Sequence, residues 1–285
     1  MNLIKYLNRF FFRDYDGVKK SIDEGNLEKF KQYVEKGFDL NRTITNEVNN
    51  DFSTFAYALN QEKEDIAEFI LSHKSFELRN QIVNHKENSA LIYSTRKGYT
   101  RIVELLIEKK VDLNVKGNFN ETALLTALMD DHTDIAILLI DNGAEISEQI
   151  FFKAVYYGNL EVTKKLISYM TIEDINESKA LSVALMSNNI NIVKYLIEYG
   201  ADIHIENNVL IRNAHHLEDN YKLASYLVFE RNLVLSKELE DKLIQAKTTL
   251  LIDLIAKRDF EKQLQKEVRQ IPETPTKKQS KSFKL

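Results

Sequence analysis

The stretch TALLTALMDDHTDIAILLIDNGAEI, from Thr122 to Ile146, decides the architecture of this chain. It holds a short apolar segment, a polar turn, and a second segment whose apolar residues recur three and four positions apart. Residues at that spacing lie on one face of an α-helix. The stretch therefore predicts two short helices joined by a tight turn. The second helix should end at Gly143, because glycine readily adopts the left-handed conformation that closes a helix.

Similar stretches begin at Ser89, Phe151 and Ala180, and a small residue recurs inside the first helix of every unit. The aligned small residues are Ser21, Ala58, Ser94, Ala127, Ala154, Ala184 and Ala214. They follow one another at intervals of 37, 36, 33, 27, 30 and 30 residues. A period of this length is typical of repeat architectures. A small side chain at these positions lets the first helix lie close to its neighbour in the stack.

The pattern resembles the ankyrin repeat family, whose repeat of about 33 residues is a turn followed by two antiparallel helices. Thr122, Leu124 and Ala127 match the family's opening motif Thr-Pro-Leu-His-x-Ala. Asp131 and His132 stand where the family usually has Gly-His. The resemblance implies an all-α fold, an ankyrin-repeat solenoid with terminal capping helices.

The resemblance covers residues 17–235 and implies about seven divergent repeats. Because the end units of a stack must cover its apolar ends, the flanking segments should be atypical. Residues 1–16 are predicted to form an N-terminal cap helix, although their basic residues also allow a membrane-surface helix. Residues 236–270 are predicted to form a degenerate C-terminal cap repeat and a charged helix. Residues 271–285 contain both prolines and are predicted to be a disordered basic tail.

Two more predictions concern the second helices of the repeats and the exits, the positions just after those helices end. In the quoted stretch, Ile135, Leu138 and Leu139 are predicted to form the buried stripe of the second helix. The exit glycine is replaced in three repeats, by Lys74, Lys110 and Met170. Those helix ends are predicted to be less well defined, since a side chain disfavours the left-handed conformation.

The composition narrows the class of protein. With 44% apolar and 29% charged residues the chain can bury a core. No apolar run reaches the ~18 to 20 residues of a membrane span, and no signal-peptide cleavage site is recognised near the start. The chain has no cysteine, which fits a reducing compartment. We therefore expect a cytoplasmic protein, or one in the host cytosol if the chain is a secreted effector.

The charge is distributed unevenly. The formal net charge is -4, yet residues 269–285 hold five basic residues and one acidic residue, which leaves -8 on the rest. An acidic body repels phosphate backbones, so general nucleic-acid binding is disfavoured. The basic tail offers an alternative function, binding to an anionic membrane surface.

The sequence does not predict chemistry. Standard phosphate-binding, zinc-protease and serine-hydrolase motifs are absent. The resemblance implies that the ring of His132 bonds backbone groups in the inter-repeat turn. His215, His216 and Asp219 match no standard zinc spacing. We therefore predict that the chain is not an enzyme, and that it uses no cofactor, metal or small-molecule substrate.

The predicted function is non-enzymatic protein binding, as an interaction module or adaptor whose protein partner is unknown. The resemblance implies that hairpin fingers between repeats, with the first helices, line a concave binding face. Long connections precede the middle repeats, at residues 42–52, 78–88 and 115–121. The predicted partner contacts in them are Arg42, Arg79, Lys116 and Phe119, since arginine and aromatic side chains often dominate interfaces. The alternative is that these surface loops lengthened without gaining a contact.

A more specific version of this function is a bacterial effector that acts inside a host cell. It rests on a composition biased toward Asn, Ile, Lys and Glu, and on a polar, Lys-rich C-terminal segment that resembles secretion tails.

Overall fold

A computed structural model describes residues 15–46, 50–78, 89–202, 225–230, 237, 241, 244 and 250–270. The chain divides into two compact units, Met1–Ser178 and Lys179–Leu285. Most of the predicted N-terminal cap, the small residue Ala214 and the predicted tail lie outside the described residues. The predicted domain boundaries stay predictions.

The first unit consists of helix pairs. Its helices are α1 over residues 15–23, α2 Leu27–Glu35, α3 Thr54–Asn60, α4 Glu64–Ser72, α5 Ala90–Arg96, α6 Thr100–Glu108, α7 Ala123–Met129, α8 Thr133–Asp141, α9 Glu148–Tyr157, α10 Leu160–Ile167 and α11 Ile172–Glu177. Within a pair the two helices pack together, as in α3 with α4 and α7 with α8. Between pairs, first helices pack on first helices (α5, α7, α9) and second helices on second helices (α2, α4, α6, α8, α10). This order is the predicted stack of repeats.

The inter-helix turns of this unit share one backbone geometry. Each contains a residue with a left-handed φ, namely Gly25 (66°), Glu62 (57°), Gly98 (72°), Asp131 (58°) and Gly158 (81°). The next residue donates its backbone N–H to the carbonyl of the aligned small residue in all five turns, at 2.8 to 3.0 Å. Those small residues, Ser21, Ala58, Ser94, Ala127 and Ala154, are all fully buried. The alignment on small residues is therefore confirmed in this unit.

The buried stripe of α8 differs from the prediction at one residue. Ile135, Ala136, Leu139 and Ile140 are buried, whereas Leu138 is partly exposed. The buried residues follow the spacing i, i+1, i+4, i+5, which spans about 140° of the helix circumference. Leu138 lies about 300° from Ile135 on that circumference, outside the arc. The prediction for Leu138 was wrong because the spacing of apolar residues alone did not show on which side of Ile135 the buried arc extends.

The helix exits confirm the glycine prediction and correct one of its exceptions. Gly37 and Gly143 have φ of 95° and 89°. Lys110 also adopts a left-handed φ of 59°, and its N–H donates to the carbonyl of Ile107 at 2.8 Å. Helix α6 therefore ends in a left-handed residue, as a helix that ends at a glycine does. This contradicts the prediction that the end at Lys110 is less well defined. At Lys74 the chain continues differently, since His73 already has an extended ψ of 136° at the end of α4.

Two strands form a small antiparallel hairpin within this helical unit. Strand β1, Thr43–Thr45, pairs with β2, Asp51–Ser53, so that Ile44 faces Phe52 in the register. The side chains of Ile44 and Phe52 are buried, which fixes the base of the hairpin on the helices.

The second unit contains α12, Ala180–Met186, and α13, Ile190–Tyr199, which pack as a further helix pair with Ala184 fully buried. A π-helical turn, Tyr226–Glu230, contacts the helix α14, Leu250–Gln270. Helix α14 includes the charged segment that the sequence predicted to be helical. Its Arg258 is buried and approaches the carbonyl of Val228 at 3.5 Å.

Candidate partner-binding site

The first finger, residues 42–53 with the hairpin β1–β2, carries the predicted contact Arg42 at its base. The Arg42 side chain is exposed. Its carbonyl accepts from the backbone N–H of Thr54 at 3.1 Å and from the Thr54 hydroxyl at 2.9 Å. Thr54 is fully buried at the start of α3, so these bonds tie the finger to the helix that follows it. Arg79 lies outside the described residues.

The second finger, residues 111–122 between α6 and α7, carries Lys116 and Phe119. A short 3-10 turn, Asn118–Asn120, forms its tip, and Phe119 has a left-handed φ of 60° there. The N–H of Gly117 donates to the carbonyl of Glu121 at 2.8 Å, which closes the tip. The Phe119 side chain is 99% exposed, and Lys116 is exposed on the same finger. The structure thus places two predicted contacts three residues apart and Arg42 on another finger.

Contacts at both ends of the second finger hold it against its neighbours. The guanidinium of Arg96, at the end of α5, pairs with the carboxylate of Glu121. At the other end, the side-chain oxygen of Asn114 accepts from the backbone N–H of Glu145 in the next connection at 2.8 Å. Such contacts stiffen the finger, and a stiff loop loses less conformational freedom when it binds.

The Asn114 contact has a counterpart two repeats earlier that the sequence reading missed. Asn41 accepts from the backbone N–H of Glu77 at 2.8 Å and donates to the carbonyl of Ser75 at 2.7 Å. Both asparagines close the same tripeptide, Asp39-Leu40-Asn41 and Asp112-Leu113-Asn114, whose aspartate accepts from the asparagine N–H. The repeated Asp-Leu-Asn is the signal that could have predicted these bridges.

Several cations near the helix pairs are neutralised by a carboxylate. Lys97 pairs with Glu62 of the preceding repeat, and this hydrogen bond and charge lower the pKa of Glu62. Arg101 lies 3.6 Å from Glu68, and Lys165 pairs with Asp141. Within the described part of the chain, Arg42 and Lys116 form no ion pair. Their charges are therefore available to a partner.

His132 has the structural position that the resemblance implied. Its Nε2 lies 3.2 Å from the carbonyl of Arg96, in the turn of the preceding repeat. The ring fills the space beside Gly98, where a Cβ would approach the ring's Cε1 to 2.8 Å. His132 therefore locks two adjacent repeats together.

A cavity with a volume of about 590 Å³ lies beside α9 and α11. Its two carboxylates, Glu148 and Asp174, stand in the first turns of those helices. Asp174 accepts from the backbone N–H and hydroxyl of Thr171, which lowers its pKa. This capping role accounts for Asp174 without catalysis.

Across the described ranges, no group of three or more His, Asp or Glu side chains could hold a metal ion. No helix in the same part of the chain is long and apolar enough to cross a membrane. The absence of enzymatic activity stays a prediction.

Comparison with known proteins identifies relatives for most of the repeats. A family model described as ankyrin repeats (3 copies) matches residues 20–117, 54–150 and 147–207, together more than half of the chain. The ankyrin repeat protein FPV034 of fowlpox virus (strain NVSL) is 27% identical over 168 residues, which are 55% of this chain and 35% of that protein. The ankyrin repeat and KH domain-containing protein mask-1 of Caenorhabditis elegans is 29% identical over 178 residues, 62% of this chain and 5% of that protein.

The chain thus spans about a third of the viral relative and a small part of the nematode one. Among solved structures, the human ASB11 ankyrin repeat domain matches with a TM-score of 0.49 and 18% identity. That match covers 65% of this chain and 84% of the ASB11 domain.

Proposed function

This chain belongs to the ankyrin repeat family, and from that premise we propose that it is a non-enzymatic adaptor that binds a protein through the tip of its second finger. Ankyrin repeats are generic protein-protein interaction modules. The proposal adds the location of the contact and the residues that make it.

The observation that carries the proposal is the exposure of Phe119. A phenylalanine ring gains about 1.5 to 3 kcal/mol when it is moved from water into an apolar site. At 99% exposure, the ring of Phe119 contributes almost none of that to folding. The closed turn below it and the Arg96–Glu121 pair hold the tip in one conformation. An exposed aromatic side chain on a closed loop tip is typical of an interface anchor.

The charge beside the ring indicates what surface it would meet. Lys116 has no carboxylate partner among the described residues and lies on the same finger. A free cation favours an acidic partner surface and makes the rate of association depend on salt. We expect the positive charge of Arg42, on the first finger, to add to this attraction. Arg79 stays a predicted contact.

The experiment begins with affinity capture by the full chain, with partners identified by mass spectrometry. Affinity for each candidate is then measured for Phe119→Ser, Lys116→Glu and a control, Phe260→Ser. The control removes an equally large ring that is 67% exposed on α14 in the other unit. We expect Phe119→Ser to weaken binding by more than about tenfold without changing the melting temperature.

Other results would favour other functions. If Phe119→Ser binds as tightly as the native chain while Phe260→Ser does not, the contact lies in the second unit. If affinity is lost only when residues 271–285 are deleted, and anionic vesicles compete, the membrane-surface alternative replaces the finger. The cytoplasmic location, or the host cytosol for an effector, is proposed on composition and is tested by fractionation with an antibody to the chain.

A further inference from the structure

A second exposed surface lies on α9. Among the described residues of the first unit, the large apolar side chains with high exposure are Phe119, Met129, Phe152, Tyr156, Tyr157 and Tyr169. Three of these lie within six residues of α9, and Lys153 lies between them in sequence. We call Phe152, Lys153, Tyr156 and Tyr157 the α9 patch. Exposed apolar clusters of this kind commonly mark interaction sites.

The periodicity of α9 explains why these aromatic residues face outward. The buried residues of the helix are Ile150, Phe151, Ala154 and Val155, which again follow the spacing i, i+1, i+4, i+5. The α9 patch occupies the remaining part of the circumference. Its three aromatic residues are 40 to 49% exposed. The core is therefore complete without them, and packing within the repeat does not require three large rings there.

The rings and the cation form one ordered cluster. The rings of Phe152 and Tyr156 are nearly parallel, with an interplanar angle of 8° and centroids 6.2 Å apart. Tyr156 and Tyr157 meet edge to face at 5.3 Å. The ammonium of Lys153 lies 5.8 Å from the centroid of Tyr156 and 5.7 Å from that of Tyr157. Cation–π attraction at these distances holds the ammonium over the rings.

Lys153 differs from the neighbouring lysines in its partners. Lys164 pairs with Glu161 at 2.9 Å, and Lys165 pairs with Asp141. Lys153 has no ion pair with any carboxylate of the described residues. A cation held over aromatic rings, without a counter-charge, is complementary to a carboxylate whose neighbours are apolar.

We propose that the α9 patch binds a short acidic segment of a partner protein, in which an aspartate or glutamate lies beside aromatic or aliphatic residues. The carboxylate would pair with Lys153, and the flanking side chains would cover the exposed rings. A nucleic acid fits less well, because the patch offers one cation, Lys153, which can pair with a single carboxylate but not with a run of phosphates. This proposal does not depend on the second finger.

The test uses the full chain and a library of random short peptides displayed on phage. Peptides selected by the native chain are sequenced and compared with those selected by the Tyr156→Ser/Tyr157→Ser variant. We expect the native chain to enrich peptides that combine Asp or Glu with Phe, Tyr, Leu or Ile. The double variant should lose that enrichment while staying folded, which its melting temperature checks, because the buried residues of α9 are unchanged.

Affinity measurements on the most enriched peptide then assign the contact. Lys153→Glu should weaken binding by about tenfold or more, whereas the matched charge reversal Lys109→Glu, on the exposed lysine that directly follows α6, should not. Phe119→Ser separates this proposal from the finger, since it should leave peptide binding unchanged. Binding of oligo-dT tests for a nucleic-acid ligand, and binding of phosphatidylserine vesicles tests for a membrane ligand. Sedimentation of the chain alone tests for self-association.

Several results would overturn the proposal. These are enrichment of basic peptides, no enrichment at all, or equal losses with Lys153→Glu and Lys109→Glu. Binding that is lost with Phe119→Ser and kept in the double variant would assign the peptide to the second finger. The last contrary result is an absence of peptide binding together with oligo-dT binding, vesicle binding or dimerisation that depends on the two tyrosines. In that case the α9 patch binds that other occupant.

Discussion

The contact between Gly98 and His132 makes the substitution Gly98→Ala a sensitive test of how adjacent repeats are joined. Gly98 has a left-handed φ of 72°, and an added Cβ would lie 2.8 Å from Cε1 of the His132 ring. A left-handed conformation costs a non-glycine residue about 1 to 2 kcal/mol. Moving the ring aside also breaks its hydrogen bond to the Arg96 carbonyl, which contributes about 1 kcal/mol. We therefore expect Gly98→Ala to lower the free energy of unfolding by about 2 to 3 kcal/mol.

Three further variants separate these contributions. Gly143 has a similar φ of 89°, but nothing lies within 4 Å of its added Cβ, so Gly143→Ala should show the conformational cost alone. Replacing His132 by alanine removes the ring, and Gly98→Ala in that background should fall to the same smaller cost. Urea denaturation followed by circular dichroism measures the free energy of unfolding of the native chain and of the four variants. The reasoning is refuted if Gly98→Ala costs no more than Gly143→Ala, or if its extra cost persists without the histidine.

Three other predictions test the core, a bridge and a cap. Leu139→Ala should lower the free energy of unfolding by about 2 to 5 kcal/mol. Leu138→Ala should lower it by clearly less, because only Leu139 is fully buried. Equal losses in urea denaturation would contradict the observed buried stripe. Asn114→Ala should cost about 1 kcal/mol and speed amide exchange in the connection it bridges; unchanged exchange would contradict that role. Thr171→Val should raise the pKa of Asp174 only partway in a carboxyl NMR titration, because the backbone N–H remains. Since that pKa is lowered by folding, its stabilisation is present above the ordinary aspartate pKa and is lost as the pH falls through the lowered value; an unshifted pKa in the variant would rule out the hydroxyl's contribution.

The repeat architecture could be predicted because its signals are local. Helical spacing of apolar residues, a small residue such as Ala127 inside each first helix, and the exit glycines Gly37 and Gly143 all act within a few residues. The structural role of His132 followed from its place in the repeat. The position of Lys116 and Phe119 on an exposed finger was also predictable, because a long polar connection between helices lies at the surface. Their contact with a partner stays a prediction.

Other features depend on neighbours that the sequence does not place. Spacing could not decide that Leu139 is buried and Leu138 partly exposed, because the choice is made by the helices that pack on either side of α8. The asparagine bridges join residues 31 and 36 positions apart, beyond the reach of local patterns.

The same limit applies to the backbone and to the surface of α9. Lys110 adopts a left-handed conformation that its side chain disfavours, because the hydrogen bonds of the exit and the burial of Val111 compensate. The rings of the α9 patch follow a helical spacing that would equally suit a core, and their exposure is decided by which arc of α9 the stack covers. The repeat and its glycine exits could be predicted from the sequence, since they depend on local conformational preference. Which helix faces are covered could not be predicted, since burial depends on the helices packed alongside.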